Sequence, residues 1–253
     1  LNDLEEILSG ARPGVDAEKE IVARASGPAV AIVVGHTKNS PGASGGAPIH
    51  KSEYPWNKGL AAMVHQACMA QGIQSKIFFR DGIGIAGAYK QVAKWGASCV
   101  MELHFNSYNG AAHGTETLYD QDRNAGSKAW AQRLQDAMLE ALGLHDRGLK
   151  ERDKGDRGYG SVSALDIPSA LTEPFFGDNP SDAHVGEANK QELAELLSSE
   201  HGKVVDDAHG DVQRGHLALR EGVAGTLGMQ RGLKEHLVRN PVADAGDEGR
   251  LVE

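Results

Sequence analysis

Short apolar runs alternate along the chain with longer segments in which apolar residues recur every three or four positions. The run Ala29–Val34 is apolar throughout, which is typical of a strand buried on both faces of a parallel sheet. Further strands are predicted at 74–80, 98–106, 114–119 and 171–176. Helices are predicted at 54–71, 85–95 and 127–142. This order predicts an α/β fold: a twisted, mostly parallel sheet of about five to six strands with helices on both faces.

The two ends of the chain depart from this alternation. Residues 1–28 are polar and weakly helical, and we interpret them as a lead-in segment. Residues 29–190 carry the alternating pattern and form the main domain. Residues 191–253 are mostly polar with scattered helical periodicity, so we expect a helical C-terminal extension that packs on the same domain.

Composition excludes several classes of protein. The chain has 253 residues and a formal net charge of −9, with 40% hydrophobic and 24% charged residues, as in ordinary globular domains. Because Lys and Arg are not clustered, we expect no nucleic-acid partner. No run approaches the roughly 18 apolar residues of a membrane helix, so no membrane insertion is expected. The first residues lack the pattern of a signal peptide.

Two histidines lie at the carboxyl ends of predicted strands. His36 comes after the run that ends at Val34, and His104 lies at the end of the strand 98–106. Strand carboxyl ends are where open α/β sheets gather their ligands. Either histidine alone is more often structural, but the pair favours a metal site. Catalytic zinc usually has three protein ligands, and Glu53 is the best third candidate, although an acidic residue is also favourable in a helix's first turn.

A carboxylate in an apolar run is the fourth candidate. Glu173 is followed by Pro174, Phe175 and Phe176. Partial desolvation there raises a carboxyl pKa toward the range that a general base needs. The alternative is an edge-strand glutamate that points to solvent, since proline favours sheet edges.

These residues and their order resemble one enzyme family, the zinc-dependent type-3 N-acetylmuramoyl-L-alanine amidases of bacteria and phages. The matching motifs are Gly35-His36, Glu53 ahead of a helix, Leu103-His104-Phe105-Asn106, Gly114-Thr115-Glu116-Thr117 and Glu173-Pro174-Phe175-Phe176-Gly177-Asp178-Asn179. The resemblance covers roughly residues 29–190, which would therefore be the catalytic domain.

The resemblance implies a Zn²⁺ cofactor held by His36, Glu53 and His104, with Glu173 as the catalytic general base. The implied reaction is hydrolysis of the amide bond between N-acetylmuramic acid and L-alanine in peptidoglycan. The partner is then the glycan strand with its stem peptide, and the protein is expected to be a monomer. It would act on the cell wall outside the cytoplasmic membrane, in the periplasm, secreted or delivered by a phage, as an autolysin or an endolysin.

The chain departs from the family pattern at two places. Thr37-Lys38 replaces the glycine pair that usually follows the first histidine, and Glu102 stands where a small residue is common. Strand alternation places Glu102, His104 and Asn106 on one face. Glu102 is therefore expected to accept a hydrogen bond from a ligand histidine, with competition with Glu173 as base the alternative. Asn106 and His113 are further candidates for substrate contact or support of the site.

Three alternatives to the amidase remain open from the sequence. A zinc peptidase acting on the stem peptide would use nearly the same metal chemistry. A non-catalytic peptidoglycan-binding module would need none of it. A nucleotide-binding protein is the weakest alternative, because the loop 42–46 lacks both the G-x-G-x-x-G spacing and a P-loop lysine.

Overall fold

The computed structural model describes residues 29–200. Its strands are β1 (Ala29–Val34), β2 (Gln74–Phe78), β3 (Cys99–Leu103), β4 (Thr115–Tyr119), β5 (Asp146–Glu151) and β6 (Ser169–Glu173). Its helices are α1 (Glu53–Ala70), α2 (Gly84–Trp95), α3 (Ser127–Leu142), α4 (Tyr159–Val162), α5 (Pro180–Ala188) and α6 (residues 190–200, where the described part ends).

The strands form a six-stranded sheet in the order β2-β1-β3-β6-β4-β5. Strand β4 runs antiparallel to β6, and all other neighbours are parallel. The predicted α/β class and mostly parallel sheet are thereby confirmed. Parallel neighbours need long crossover connections, and the helices between them supply these.

Helices cover both faces of the sheet, and each face has its own apolar cluster beneath the helices. On one face, Leu60 of α1 and Leu134 of α3 pack with Ile32 and Met101. On the other, Tyr89 and Val92 of α2 pack with Val33 and Val100. Because side chains alternate along each strand, β1 and β3 contribute to both clusters, which explains their almost wholly apolar sequences.

Strand β5 is absent from the sequence-based prediction. Four of its six residues are charged (Asp146, Arg147, Lys150 and Glu151) and none is fully buried, because the strand lies at the sheet edge with one neighbour. Leu149 alone of the six packs against the apolar core, which is too little to give an alternating pattern.

Strand β6 corrects the edge alternative for Glu173. It lies between β3 and β4, inside the sheet, and ends at Glu173. Pro174 follows the strand, where its missing N–H costs no ladder hydrogen bond. Glu173 is therefore an interior residue and not an edge glutamate.

Two of the predicted domains fall largely outside the described residues. The lead-in 1–28 lies wholly outside them, and of the extension 191–253 only the helical residues up to 200 are described. The division into 1–28, 29–190 and 191–253 stays a prediction. Within residues 29–200, no helix has both the length and the apolar character that crossing a membrane requires.

Candidate metal centre and active site

The two candidate histidines meet because their strands are parallel neighbours. Val34 of β1 pairs with Leu103 of β3. His104 follows Leu103 directly, and His36 follows Val34 after one glycine, Gly35. The N–H of Gly35 donates to the carbonyl of Leu103 at 3.0 Å, which carries the pairing beyond the strand end. Both imidazoles therefore lie at the carboxyl edge of the sheet, as strand polarity requires.

Glu53 joins them from the first turn of α1. Its Oε2 atom lies 3.1 Å from Nε2 of His36 and 3.1 Å from Nδ1 of His104, while Oε1 accepts the N–H of Ala43 at 2.9 Å. The three possible ligand atoms are within 4.8 Å of one another. Burial raises the pKa of Glu53, but the close contacts with His104 and His36 outweigh burial and lower the pKa to about 2. The carboxylate thus faces two imidazoles and not solvent.

Two glycines make room for this arrangement. A Cβ atom on Gly35 would collide with the His104 ring, and one on Gly42 would lie 2.6 Å from Cδ2 of His36. His36 itself has a φ of 65°, in the left-handed region that non-glycine residues seldom adopt. The backbone is therefore shaped around the imidazoles, at some conformational cost.

The donor set fits a divalent cation such as zinc. Nε2 of His36 is buried and has no hydrogen-bond partner among residues 29–200, although it lies close to Glu53. Two imidazole nitrogens and one carboxylate oxygen are the ligands that zinc accepts, and three of them leave a coordination position open. The residues could therefore hold a metal ion.

The loop that carries Thr37-Lys38 is fixed by an acidic side chain. Asp81 accepts the backbone N–H of Lys38 at 2.7 Å and the hydroxyl of Tyr54 at 2.5 Å. Tyr54 is the neighbour of Glu53, so this one carboxylate links the loop after His36 to the start of α1. The departure from the family's glycine pair leaves the histidine in place.

Glu102 fixes the orientation of His104 from the opposite side. Its Oε1 atom is 2.9 Å from Nε2 of His104 and accepts from Arg80 (2.7 Å) and Ser161 (3.1 Å), while Oε2 accepts from Tyr89 (2.7 Å). Burial raises the pKa of Glu102, but His104, Arg80 and Tyr89 together lower it to about 2. An ionised carboxylate with both oxygens bonded turns Nδ1 of His104 toward Glu53.

Glu173 is buried without comparable support. It is 4% exposed, and its Oε2 atom has no hydrogen-bond partner among the described residues. Nη2 of Arg157 lies 3.9 Å from Oε1, which is beyond hydrogen-bond distance. Burial, with repulsion from Glu53 and Glu116, outweighs the attraction of His104 and Arg157 and raises the pKa of Glu173 to about 8. A carboxyl group with this pKa can both take and give a proton near neutral pH.

One cavity of about 160 Å³ unites these groups. His36, His104, Glu102, Glu173 and Arg157 all line it. Two of the candidate ligands, His36 and His104, therefore face the same space as the candidate base Glu173, as metal-assisted hydrolysis requires.

An aromatic cluster fixes the relative positions of α1, β3 and β6, the three elements that position Glu53, His104 and Glu173. Trp56, three residues after Glu53, packs its ring 6.0 Å from Phe105 and 5.0 Å from Phe175. Phe105 follows His104 and Phe175 lies two residues beyond Glu173, with 5.4 Å between their rings. Because all three aromatic residues are buried, a shift of α1, β3 or β6 would cost packing energy.

Asn106 and His113 differ in their distance from the site, since Asn106 borders a cavity beside Glu173 and His113 does not. Nδ2 of Asn106 donates to Glu116 at 2.7 Å, and Asn106 borders a second cavity beside Glu173. His113 is exposed, its ring centroid is 5.4 Å from that of His145, and it lines neither cavity. A role for either residue in substrate contact stays a prediction.

A family comparison decides what these residues belong to. The family described as N-acetylmuramoyl-L-alanine amidase matches residues 30–198, more than half of the chain. The chain belongs to the N-acetylmuramoyl-L-alanine amidase family. The family membership predicted from the motifs is thus confirmed, and the match spans every residue of the site described above.

Curated relatives of this amidase-family chain align over short stretches. An uncharacterized cell wall amidase of Bacillus anthracis is 36% identical over 92 residues, which are 32% of this chain and 16% of the relative. The uncharacterized protein YqiI of Bacillus subtilis is 33% identical over 88 residues, 34% of this chain and 40% of the relative. The chain therefore spans less than half the length of these two relatives.

Solved structures share the fold of this amidase-family chain. The catalytic domain of the N-acetylmuramoyl-L-alanine amidase CwlV from Bacillus (Paenibacillus) polymyxa var. colistinus superposes with a TM-score of 0.62 at 22% identity, covering 71% of this chain and 98% of that one. An N-acetylmuramoyl-L-alanine amidase from Clostridium difficile 630 gives 0.63 at 23% identity, covering 71% and 97%.

The sequence-based prediction missed several charged and polar groups of the site. Arg80, Tyr89 and Ser161 surround Glu102, and Arg157 faces Glu173. Arg80 offered a usable signal, because it lies two residues beyond β2, at the same sheet edge as His36. No sequence signal pointed to Arg157 or Ser161, because they lie in a loop and a one-turn helix that have no periodic pattern.

Proposed function

We propose that the protein is a zinc-dependent amidase that hydrolyses the bond between N-acetylmuramic acid and L-alanine in peptidoglycan. One observation carries the proposal: His36, Glu53 and His104 converge, and Glu173 faces the same cavity as the two histidines. Family membership supports the substrate and the bond.

His36, Glu53 and His104 would hold the ion. When bound, zinc supplies Lewis-acid chemistry, polarising a carbonyl and making water a stronger acid. Glu53 is suited to this role because it is already ionised, and His104 because Glu102 fixes its ring. His36 contributes a buried nitrogen that lacks another partner within residues 29–200.

Glu173 is the proposed general base and then the general acid. It removes a proton from the attacking water as the water oxygen bonds to the carbonyl carbon of the lactyl group. As the carbon–nitrogen bond breaks, the same proton passes from Glu173 to the alanine nitrogen. The products are a lactyl carboxylic acid and a stem peptide with a free amino terminus. The Oε2 atom of Glu173, which has no hydrogen-bond partner within residues 29–200, is available for both transfers.

Glu102 is proposed to position His104 and not to act as base. Both of its oxygens accept hydrogen bonds, and its pKa of about 2 makes it a weak base at neutral pH. Glu173 lacks those donors. The difference supports assigning proton transfer to Glu173 alone.

The setting of the reaction follows from its substrate. We propose that the protein acts as a monomer on cell-wall peptidoglycan, outside the cytoplasmic membrane, as a bacterial autolysin or a phage endolysin. Residues 29–190 are proposed as the catalytic domain, since all four principal site residues lie between positions 36 and 173.

Product analysis tests the proposal. Purified peptidoglycan treated with the zinc-loaded protein should release peptides with new L-alanine amino termini and no new reducing sugar ends. A different new amino terminus would indicate the stem-peptide peptidase. Binding without any product would indicate the non-catalytic module. Glu173→Gln serves as the matched control, because it keeps the shape of the side chain and removes the base.

A further inference from the structure

A second cavity of about 110 Å³ adjoins the candidate active site. It is lined by Asn106, Glu116, Leu118, Arg152, Arg157 and Glu173. Glu173, Arg157 and Leu118 also line the first cavity, whereas His36 and His104 line only the first. The second cavity therefore begins at Glu173 and extends away from the metal ligands.

Arg152 adds a positive charge to this cavity. No carboxylate of residues 29–200 forms an ion pair with it, and its Nε atom is buried without a hydrogen-bond partner in that part of the chain. A buried guanidinium N–H that lacks an acceptor is costly, and a bound anion would remove that cost.

Arg157 adds a second positive charge. Its side chain is 73% exposed, and its one ion pair among the described residues is the 3.9 Å approach to Glu173. Glu116, the other acidic group of the cavity, is already paired, since Asn106 donates to Oε1 at 2.7 Å and Arg147 to Oε2 at 2.8 Å. The cavity is thus suited to an anion.

The segment between the two arginines is held at both ends. The N–H of Arg152 donates to the carbonyl of Tyr119 at 2.9 Å, which extends the pairing of β5 with β4. Gly158 has a φ of 88° and packs so closely on Leu118 that a Cβ atom would lie 2.8 Å from Cδ2. Both guanidinium groups therefore start from fixed backbone positions, which lowers the entropy cost of binding.

We propose that Arg152 and Arg157 form a subsite for a carboxylate of the stem peptide, on the leaving-group side of the scissile bond. This inference rests on the proposed function. Glu173 gives its proton to the alanine nitrogen, so the peptide that continues from that alanine lies on the Glu173 side of the cavity. The second cavity begins there.

The chemistry of the stem peptide supplies a suitable group. Its second residue is a glutamate linked through its side-chain carboxyl, so its α-carboxyl is either free or amidated. A paired guanidinium subsite distinguishes these forms, because an amide is neutral and offers one acceptor oxygen in place of two. The subsite would make the protein selective for stem peptides with a free carboxylate.

A matched pair of soluble muropeptides tests the subsite. The two differ only in whether the α-carboxyl of the second residue is free or amidated. Wild type should have a kcat/KM about tenfold higher for the free form, as expected for a hydrogen bond to a charged group. Arg152→Gln should bring the ratio close to one. Lys154→Gln is the control, because it removes one positive charge from the same loop without lining either cavity.

Binding separates this inference from the proposed function. The two released peptides, without the muramic acid, are titrated into the same proteins by calorimetry. A wild type that cuts neither muropeptide but binds the free-carboxylate peptide more tightly would overturn the amidase and keep the subsite. Equal rates and equal affinities for both forms would overturn the subsite and keep the amidase. A preference that survives Arg152→Gln, or disappears in Lys154→Gln, would also overturn it.

Discussion

Two buried carboxylates stand on neighbouring strands of the same sheet, yet their surroundings differ sharply. Glu102 of β3 pairs with Leu171 of β6, and Glu173 lies two residues further along, on the same face. Both are almost fully buried. Glu102 receives hydrogen bonds on both oxygens, whereas Oε2 of Glu173 has no partner among the described residues.

The comparison shows that burial alone does not set the charge of a carboxyl group. Burial raises the pKa of both residues, but donors around Glu102 bring its pKa to about 2, while that of Glu173 is raised to about 8. Two carboxylates with widely separated pKa values can take different roles in one cavity. The surroundings of Glu102 suit the proposed support of His104, and those of Glu173 suit the proposed proton transfer.

Substitution of a proposed histidine ligand, on the Glu102 side of this comparison, is expected to have the largest effect. His36→Ala and His104→Ala should each abolish both bound zinc and peptidoglycan hydrolysis, because two ligands do not make a tight zinc site. Zinc per protein chain is measured by atomic absorption after dialysis. His184→Ala, at an exposed position on α5, should keep both. Full zinc occupancy in the first two variants would refute the ligand set.

Substitution of Glu173, on the other side of the comparison, is expected to impair proton transfer without affecting zinc binding. Glu173→Gln should lower the hydrolysis rate by about 10²- to 10⁴-fold, the usual contribution of general acid–base catalysis, with zinc content unchanged. Rates are measured on purified peptidoglycan. Glu140→Gln, at an exposed position on α3, is the matched control. A Glu173→Gln protein with wild-type activity would mean that another group is the base.

A third prediction tests whether Glu102 supports His104. Glu102→Gln keeps an acceptor for the ring but loses the negative charge, so zinc affinity should weaken by about 10- to 100-fold. The melting temperature should also fall, because Arg80 loses its buried partner. Competition with a chelator measures the affinity. Tyr89→Phe removes one donor to Glu102 and spares the His104 contact, so its zinc affinity should stay near that of wild type.

The smallest expected effect is a pH dependence of stability that arises from the raised pKa of Glu173. In the metal-free protein, the pKa of Glu173 is about 8 in the folded state against an ordinary value of 4.5. Its contribution to stability is fully present below pH 4.5 and is lost as pH rises to about 8, because only the unfolded chain releases the proton in that window. Glu173→Gln has no proton to release.

Calorimetry in the presence of a chelator checks this pH effect. The melting temperature of wild type, relative to Glu173→Gln, should fall by roughly 10 °C between pH 5 and pH 8. A difference that does not change with pH would show that Glu173 titrates normally.

The sequence by itself determined the fold class and the four principal candidates. The apolar run before His36 and the periodic segments around it are local patterns, and strand polarity alone places the residues after β1 and β3 at one edge. His36, Glu53, His104 and Glu173 were therefore identifiable from spacing, motif order and family resemblance.

Only the tertiary structure separated Glu102 from Glu173. Their different surroundings depend on Arg80, Tyr89 and Ser161, which lie 22, 13 and 59 residues from Glu102 along the chain and donate to its carboxylate. Strand β5 and the arginine at its end were equally out of reach, because a polar edge strand is defined by its neighbour and not by its own pattern. Charge at a buried site is set by contacts across the fold, and these leave no periodic trace in a sequence.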